Sequence, residues 1–289
     1  MRTRVLMLII AILVPLPLAA QTACDRNCLR DFMTRYLDAL VAQKPATLPV
    51  SNDLKFTEDT VAMNLGEGLW KTPLRLSTYR QDILDVKQGV AGTMVILEDA
   101  GKPVMLTVRL KVAGGKISEI ETQATHNAAE GAIFRPENLK TASPAMNLVP
   151  EKSQLNSRED LIRISQKYPE GLKAGSFVTA DTPFAPDAYR FEGGQIMAGP
   201  ACTRGGGCDN IKTQRIPKLS GIRWRVAVVD EELGIAWLRL DFGPGSLFGE
   251  NADKSLIVWE AFKIYGSQIH AVEAFMKVGP QNAPSGWDN

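Results

Sequence analysis

One β-hairpin pattern occurs twice in this sequence and constrains the fold more than any other feature. The later copy, residues 255–278, has the sequence SLIVWEAFKIYGSQIHAVEAFMKV, two apolar runs joined by a Gly-containing turn at residues 265–267. The earlier copy, residues 105–122, has the sequence MLTVRLKVAGGKISEIET, and Lys263 stands 152 residues after its counterpart Lys111. The repeat predicts a chain of two similar halves, each closed by the same hairpin.

The first twenty residues have the pattern of a secretory signal peptide. Arg2 and Arg4 precede an apolar run that is short for a membrane span, and the run ends in Ala19 and Ala20. We therefore predict cleavage after Ala20 and a periplasmic or secreted protein without stable membrane association. Removing residues 1–20 lowers the net charge from +1 to about −1, a balance that gives no long-range attraction to nucleic acid.

Four cysteines form two local pairs, Cys24 with Cys28 and Cys202 with Cys208. Export makes disulfides favourable, and local pairing is the simplest of the three pairings that four cysteines allow. Three glycines between Cys202 and Cys208 let the chain fold back on itself. A metal site is the competing interpretation, but neither of the two histidines is near a cysteine in sequence, so no metal is predicted.

Apolar spacing outlines the same order of elements in each half. Residues 29–43 have apolar side chains at helical spacing, and Ser157 begins a second helix that should kink or break at Pro169. The first helix is followed by a short strand, a loop, a predicted short helix around residues 79–86 and a hairpin at residues 90–112. The offset between the halves grows along the chain, which predicts an insertion in the second half that contains the second cysteine pair.

Changes in composition divide the chain into five segments. We predict a signal peptide at 1–20, a first domain at 21–126, a proline-containing linker at 127–156, a second domain at 157–279 and a C-terminal tail at 280–289. Each domain is predicted to have an α+β fold in which a helix packs on a curved antiparallel sheet.

The order of helix, Asp-containing turn, short strand and curved sheet ending in a Phe-Lys-Ile-x-Gly hairpin resembles the NTF2-like, or SnoaL-like, superfamily, whose fold is a cystatin-like α+β barrel. The run from Cys24 to Trp70, the motif Val228-Val-Asp-Glu-Glu232 and the tail Pro284-Ser-Gly-Trp287 resemble an exported DUF8021-type group of unknown function. The resemblance implies two tandem NTF2-like domains. In enzymes of the superfamily, a helix-covered sheet forms an apolar cone with one or two polar groups for cofactor-free proton transfer. No cofactor is therefore implied, and no catalytic residue is carried over because no known constellation is reproduced.

Glu260 is the candidate acid or base. Alternation along residues 256–264 places it on one strand face with apolar neighbours, where burial would raise its pKa because desolvation disfavours the charged form. Pairing with a nearby arginine to hold the sheet together remains the alternative. Val108 occupies the equivalent position in the first half, so the site is predicted in the second half. By contrast, Glu121 and Glu273 are equivalent in the two halves and are interpreted as structural.

Four other residues are the predicted companions of Glu260. Asp241 is the second candidate catalytic residue, Arg225 a polar group for substrate binding, and Trp224 and Trp237 the walls of a pocket. The alternative interpretation is that the Asp and Arg are ordinary cross-strand partners and that the tryptophans only fill the core.

Together these features favour an exported protein whose second half binds a small, mostly apolar or aromatic molecule and performs cofactor-free acid–base chemistry, as a lyase, dehydratase or isomerase. The alternative is a non-catalytic small-molecule binder or scaffold in which the halves pack on each other's sheets and side chains fill the cones. The sequence contains no P-loop, no zinc-protease motif and no recognisable Ser/His/Asp arrangement. It leaves the substrate and the formation of a homo-oligomer open.

Overall fold

A computed structural model describes residues 24–247, 251–281 and 286–287. The predicted signal peptide and its cleavage site lie outside the described residues. The α-helices are α1 (Arg26–Val41), α2 (Ala128–Gly131), α3 (Pro144–Asn147) and α4 (Arg158–Ala174). The strands are β1 (Val50–Glu58), β2 (Val61–Ala62), β3 (Leu74–Asp85), β4 (Val90–Asp99), β5 (Lys102–Ala113), β6 (Lys116–Thr125), β7 (Phe184–Glu192), β8 (Gln195–Ala198), β9 (Arg223–Asp230), β10 (Ile235–Asp241), β11 (Lys254–Tyr265) and β12 (Gln268–Pro280).

Each half of the chain forms one six-stranded sheet. The strand orders are β2-β1-β6-β5-β4-β3 and β8-β7-β12-β11-β10-β9, so the second sheet repeats the first. Neighbouring strands are antiparallel except β1 with β6 and β7 with β12, which are parallel. The mainly antiparallel sheets each contain one parallel pair, because the first strand of each half lies beside the last. The predicted tandem arrangement of two α+β domains, each with a helix packed on a sheet, is confirmed.

The long helix of each half begins at a side-chain cap and packs on its own sheet. Asp25 caps α1 by accepting a hydrogen bond from the backbone N–H of Cys28 at 2.8 Å, and Ser157 caps α4 in the same way. The predicted apolar stripe of α1 is buried against the first sheet and consists of Leu29, Phe32, Met33, Tyr36, Leu37 and Leu40. Each helix thus covers the apolar face that the repeat predicts.

Helix α4 continues through Pro169 instead of breaking there. Proline removes one backbone hydrogen bond, but Tyr168 and Leu172 on either side are buried in the core of the second sheet. Apolar burial on both sides of the proline keeps both parts of the helix packed on the second sheet.

Strand β3 occupies the region where the sequence predicts a short helix around residues 79–86. Tyr79, Gln81 and Ile83 are buried, whereas Arg80 and Asp82 between them are half-buried. This period of two belongs to a strand. The helix prediction is wrong because the second half of the chain covers one face of β3, and that partner is not visible in local sequence.

A third apolar core, here called the interdomain core, lies between the two sheets. Its buried residues are Tyr79, Ile83, Val90, Met94, Ile96, Met105, Leu139, Met146, Ala227, Val228, Leu233, Ile235, Trp237, Trp259, Ala261, Ala271 and Phe275. The rings of Trp237 and Trp259 pack with their centroids 4.6 Å apart. The two domains therefore pack through the sheet faces that their own helices do not cover.

Gly92 marks the closest approach in the interdomain core. A Cβ atom on Gly92 would lie 2.5 Å from the ring of Trp237 and 3.1 Å from a methyl group of Val228. We expect Gly92→Ala to lower the free energy of unfolding by about 1–3 kcal/mol through overpacking. Gly279→Ala is the matched control, because its Cβ would meet only Ile257 at an ordinary 3.4 Å. Urea denaturation checks both variants, and equal stabilities would contradict the predicted clash.

Two buried ion pairs join the domains in a reciprocal pattern. Arg26, the first residue of α1, binds Asp230 at the end of β9 through two hydrogen bonds of 2.7 and 2.8 Å. Arg158, the first residue of α4, binds Asp85 at the end of β3 through two hydrogen bonds of 2.9 and 2.6 Å. Each helix start is thus held by the carboxylate of the other domain, as an approximate twofold relation between the halves requires.

Lys263 fastens the segment between the domains to the second sheet. Its side chain is buried and its amino group donates hydrogen bonds to the backbone carbonyls of Met146, Leu148 and Leu233. Burial lowers the pKa of Lys263 to about 8, because desolvation disfavours the charged amine. The predicted linker is therefore bound to β11 through the backbone carbonyls of Met146 and Leu148.

The two predicted disulfides are present. Cys24 pairs with Cys28 and Cys202 pairs with Cys208, with Cα atoms 5.3 and 5.7 Å apart. Across the described ranges, no helix is long and apolar enough to cross a membrane.

Candidate functional site

Glu260 is fully buried on the helix-covered face of the second sheet. It lies on β11 between Val258 and Phe262, which belong to the apolar core beneath α4. Neither carboxylate oxygen has a hydrogen-bond partner among the described residues. A buried carboxylate without hydrogen bonds is costly and marks this position as a candidate site.

Burial, and after it the negative charge of Glu192, raise the pKa of Glu260, which is about 8 once all neighbouring groups act together. Two groups act in the opposite direction. Arg190 supplies a positive charge, and the Tyr168 hydroxyl is close enough to favour the carboxylate without meeting ordinary hydrogen-bond geometry. Near neutral pH, Glu260 is therefore mostly a carboxylic acid that can donate a proton.

Arg190 connects the polar groups around Glu260. Its Nη1 donates a hydrogen bond to Tyr168 Oη at 3.0 Å, and its Nε lies 3.4 Å from an oxygen of Glu192. Because Tyr168 Oη accepts from Arg190, the hydroxyl proton is free to point elsewhere in the site. We call Glu260, Tyr168, Arg190 and Glu192 the polar cluster.

Three members of the polar cluster were not predicted from the sequence. Tyr168 lies on α4, and Arg190 and Glu192 lie on β7. The available signal was their spacing, since residues two apart on β7 share one face of the sheet. Which face they share depends on the parallel pairing of β7 with β12, which the sequence does not specify.

The segment of residues 199–222 packs on the second domain beside the polar cluster. It is the predicted insertion and contains the Cys202–Cys208 disulfide, whereas the corresponding connection in the first domain, residues 63–73, is shorter. Gln214 in this segment is buried and accepts a hydrogen bond from Arg190 Nη2 at 3.3 Å. The segment thus forms a lid over the second domain.

The structure does not bring all predicted companions to Glu260. Leu238, not Trp237, lies directly opposite Glu260 in the β10–β11 pairing. Trp237 is buried in the interdomain core, and Asp241 points to the same side of β10 because it lies four residues further along the strand. Trp224 packs against the core beneath α4 and is therefore the one predicted companion on the side of Glu260.

Arg225 and Asp241 have other partners. Arg225 forms an ion pair with Glu121 of the first domain, and Asp241 forms an ion pair of 2.5 Å with Arg223 and a hydrogen bond with Ser255. The prediction that Asp241 is a catalytic partner of Glu260 is therefore corrected. The prediction that Arg225 and Trp237 line the same pocket is corrected as well. The physical reason is strand register, which sends these side chains to the opposite face of the sheet.

A comparison with protein families matches residues 154–276 to a family described as "Domain of unknown function (DUF8021)". The matched range covers nearly all of the second domain, and we call this domain the DUF8021 domain after the match. All four residues of the polar cluster lie within the matched range. No curated protein matches the chain.

Solved structures similar to parts of the chain include an NTF2-like protein of unknown function from Cytophaga hutchinsonii, with 10% identity and a TM-score of 0.28 over 35% of this chain and 91% of the other. A de novo designed protein with a curved β-sheet has 17% identity and a TM-score of 0.28 over 35% and 88% of the two chains. A de novo designed NTF2 fold protein has 17% identity and a TM-score of 0.27 over 34% and 85%.

The first domain lacks the central acid of the DUF8021 domain. Strand register makes Val108 the counterpart of Glu260 and Glu58 the counterpart of Glu192. Burial raises the pKa of Glu58 to about 7, but both of its oxygens accept hydrogen bonds from the backbone N–H of Leu69. The carboxylate of the first domain is thus engaged in holding a loop, whereas Glu260 has no such partner.

The DUF8021 domain therefore combines a buried acid, a phenol and a guanidinium in one apolar interior. Such a set can transfer a proton and stabilise a developing negative charge without a metal. Among the described residues, no group of three or more His, Cys, Asp or Glu side chains is arranged to hold a metal ion.

Proposed function

We propose that the DUF8021 domain binds a small, mostly apolar or aromatic molecule and performs cofactor-free acid–base chemistry on it, as a lyase, dehydratase or isomerase. The observation that carries the proposal is the Glu260 carboxyl group, which is fully buried, has no hydrogen bond of ordinary geometry within the described ranges and lies beside Arg190 and Tyr168. Sites with this combination of burial and a pKa shifted toward neutrality are common in acid–base enzymes.

Each member of the polar cluster has a distinct role in this proposal. Glu260 donates or accepts the transferred proton, and its raised pKa suits that exchange near neutral pH. Arg190 stabilises negative charge that develops on an oxygen of the substrate, while Tyr168 positions that oxygen through its hydroxyl proton. Glu192 keeps the guanidinium in place and favours the protonated form of Glu260.

Access to Glu260 requires movement of the lid at residues 199–222. Gln214, Ile211 and Leu219 of the lid are buried in the present arrangement, and the Glu260 oxygens are shielded from solvent. A closed lid excludes water, which strengthens the electrostatic contacts of the cluster during reaction. The proposal therefore includes opening of the lid to admit the ligand.

A non-catalytic role as a small-molecule binder or scaffold is the second candidate. It is favoured by the packing beneath α4, where the rings of Tyr168, Phe177, Phe184 and Phe262 contact one another with centroids 4.9 to 6.2 Å apart. In that case the rings fill the cone and Glu260 stays a protonated structural acid.

The cellular location is proposed to be periplasmic or secreted. The two disulfides support an oxidising compartment, since such bonds are rare in a reducing cytosol.

Thermal unfolding of the oxidised protein with a panel of aromatic and terpenoid small molecules tests the proposal. A ligand at a hundred times its dissociation constant should stabilise the folded state by about 2.7 kcal/mol. Compounds that bind are then assayed for conversion by mass spectrometry, and Glu260→Gln is expected to reduce conversion by about a hundredfold or more while keeping binding.

Glu159→Gln is the matched control, because Glu159 is an exposed carboxylate in the first turn of α4. It should leave both binding and conversion unchanged. Unchanged conversion in Glu260→Gln would remove Glu260 from the mechanism, and a panel without any stabilising compound would favour the scaffold role.

A further inference from the structure

A cavity lies between the two domains, on the face of the second sheet opposite to Glu260. It is a cleft of about 280 Å³, with Tyr79 of β3 on one side and Tyr189, Phe191 and Glu273 of the second sheet on the other. Ser143, which precedes α3, lies at its edge. The cleft shares no lining residue with the polar cluster, so it is a separate candidate site.

The polar end of the cleft is a buried carboxylate held by hydroxyl groups. Glu273 is 3% exposed and accepts a hydrogen bond from Tyr189 Oη at 2.7 Å. The hydroxyl groups of Tyr189 and Ser143 are 2.9 Å apart. Burial raises the pKa of Glu273, while these two hydroxyls act in the opposite direction. The cleft therefore offers oxygen acceptors, fixed in position, to a ligand.

The repeat shows what is different at Glu273. Its counterpart Glu121 forms an ion pair with Arg225 and lies 3.9 Å from Arg239. Among the described residues that line the cleft with Glu273, none is Lys, Arg or His, so none of them supplies a positive charge. At the two equivalent positions, one carboxylate has a guanidinium from the protein and the other faces a cavity. A cationic ligand in the cleft would give Glu273 the charged partner that Arg225 gives Glu121.

Aromatic rings complete the cleft. Tyr79, Tyr189 and Phe191 line it, and aromatic faces attract cations as well as flat apolar groups. We propose that the cleft binds the protonated primary amine of a small arylalkylamine, with the ammonium group at Glu273 and its hydroxyl partners and the aryl ring against the three side chains. This site does not depend on the proposed acid–base chemistry.

Isothermal titration of the full oxidised protein with 2-phenylethylamine tests the site, with 2-phenylethanol as the uncharged probe of similar shape. We expect the amine to bind at least about tenfold more tightly than the alcohol, because a charged hydrogen bond to a buried carboxylate contributes more than a neutral one. Glu273→Gln should weaken amine binding by about tenfold or more and leave the alcohol unchanged.

Glu137→Gln is the matched control, since Glu137 is exposed and close to the cleft in sequence without lining it. It should leave amine binding unchanged. Ile196→Trp, which fills the cleft without altering Glu273, is a second test and should abolish binding. No binding of the amine, equal binding of amine and alcohol, or equal losses in Glu273→Gln and Glu137→Gln would overturn the proposal. If Glu273→Gln fails to fold, full amine binding by Ile196→Trp would overturn it as well.

Discussion

Asparagine in place of Asp230 is expected to lower the free energy of unfolding by about 3 kcal/mol or more. Asp230 is completely buried, pairs with Arg26 and also accepts hydrogen bonds from the backbone N–H groups of Leu84 and Leu233. Neutralising the carboxylate leaves Arg26, which is only 16% exposed, with the more exposed Glu232 at 3.3 Å as its remaining ion-pair partner. Breaking one partner of a buried pair is costly. Urea denaturation at neutral pH gives the measurement.

Two further variants show whether the loss comes from the buried pair. Asp85→Asn should be about as destabilising, because Asp85 makes the reciprocal contacts with Arg158 and with the backbone N–H of Val229. Glu170→Gln breaks an exposed ion pair with Lys167 on α4 and should change stability by less than about 1 kcal/mol. A loss in Asp230→Asn no larger than that in Glu170→Gln would rule out the interdomain pair as a major source of stability.

Glu260→Gln is expected to change how stability depends on pH. The folded-state pKa of Glu260 is raised from 4.5 to about 8, so the folded protein binds the proton more strongly than the unfolded chain. Its contribution is fully present below about pH 4.5 and is lost as the pH rises through about 8, with a slope of up to about 1.4 kcal/mol per pH unit. The glutamine variant should lack this slope and become more stable than the wild type at about pH 8 to 9.

Urea denaturation at several pH values between about 5 and 9 measures the effect as the difference between the variant and the wild type. Taking the difference removes the contributions of other groups with shifted pKa values, such as Glu58 and Lys263. Because Glu192 lies beside Glu260, the difference reports both carboxyl groups together. Glu159→Gln should run parallel to the wild type. If Glu260→Gln also runs parallel to the wild type, Glu260 is charged in the folded protein.

Much of the fold could be predicted from the sequence because the repeat is local and strongly patterned. The hairpin around Lys111 and its copy around Lys263 predicted the two halves, and both hairpins are present as β5–β6 and β11–β12. Helical spacing of apolar residues predicted α1, and the cysteine spacing predicted both disulfides. These signals work because they depend on neighbours within a few residues.

The helix predicted around residues 79–86 failed for a non-local reason. Tyr79 and Ile83 are four residues apart and buried, which is compatible with a helix as well as with a strand. Their burial in β3 depends on the second domain, more than a hundred residues away in the chain. Local spacing cannot distinguish the two cases until the partner surface is known.

The candidate site was predicted only in part, and the limit was strand register. Glu260 was found because its own strand alternates clearly. Trp237, Asp241 and Arg225 also alternate clearly, but the side of the sheet that they face depends on how β9 and β10 are paired with β11. A shift of one residue in pairing moves every side chain to the other face, and no feature of the sequence determines that shift.

The pairing of Arg26 with Asp230 spans 204 positions along the chain, which affects the order of folding. Synthesis from the N-terminus completes α1 and the first six strands long before Asp230 exists, so the nascent first half has an unpaired arginine and an uncovered apolar sheet face. Contacts with such a large sequence separation form slowly, because loop-closure entropy opposes them. Until β9 and β10 are made, the partly synthesised chain exposes a surface that chaperones and proteases recognise.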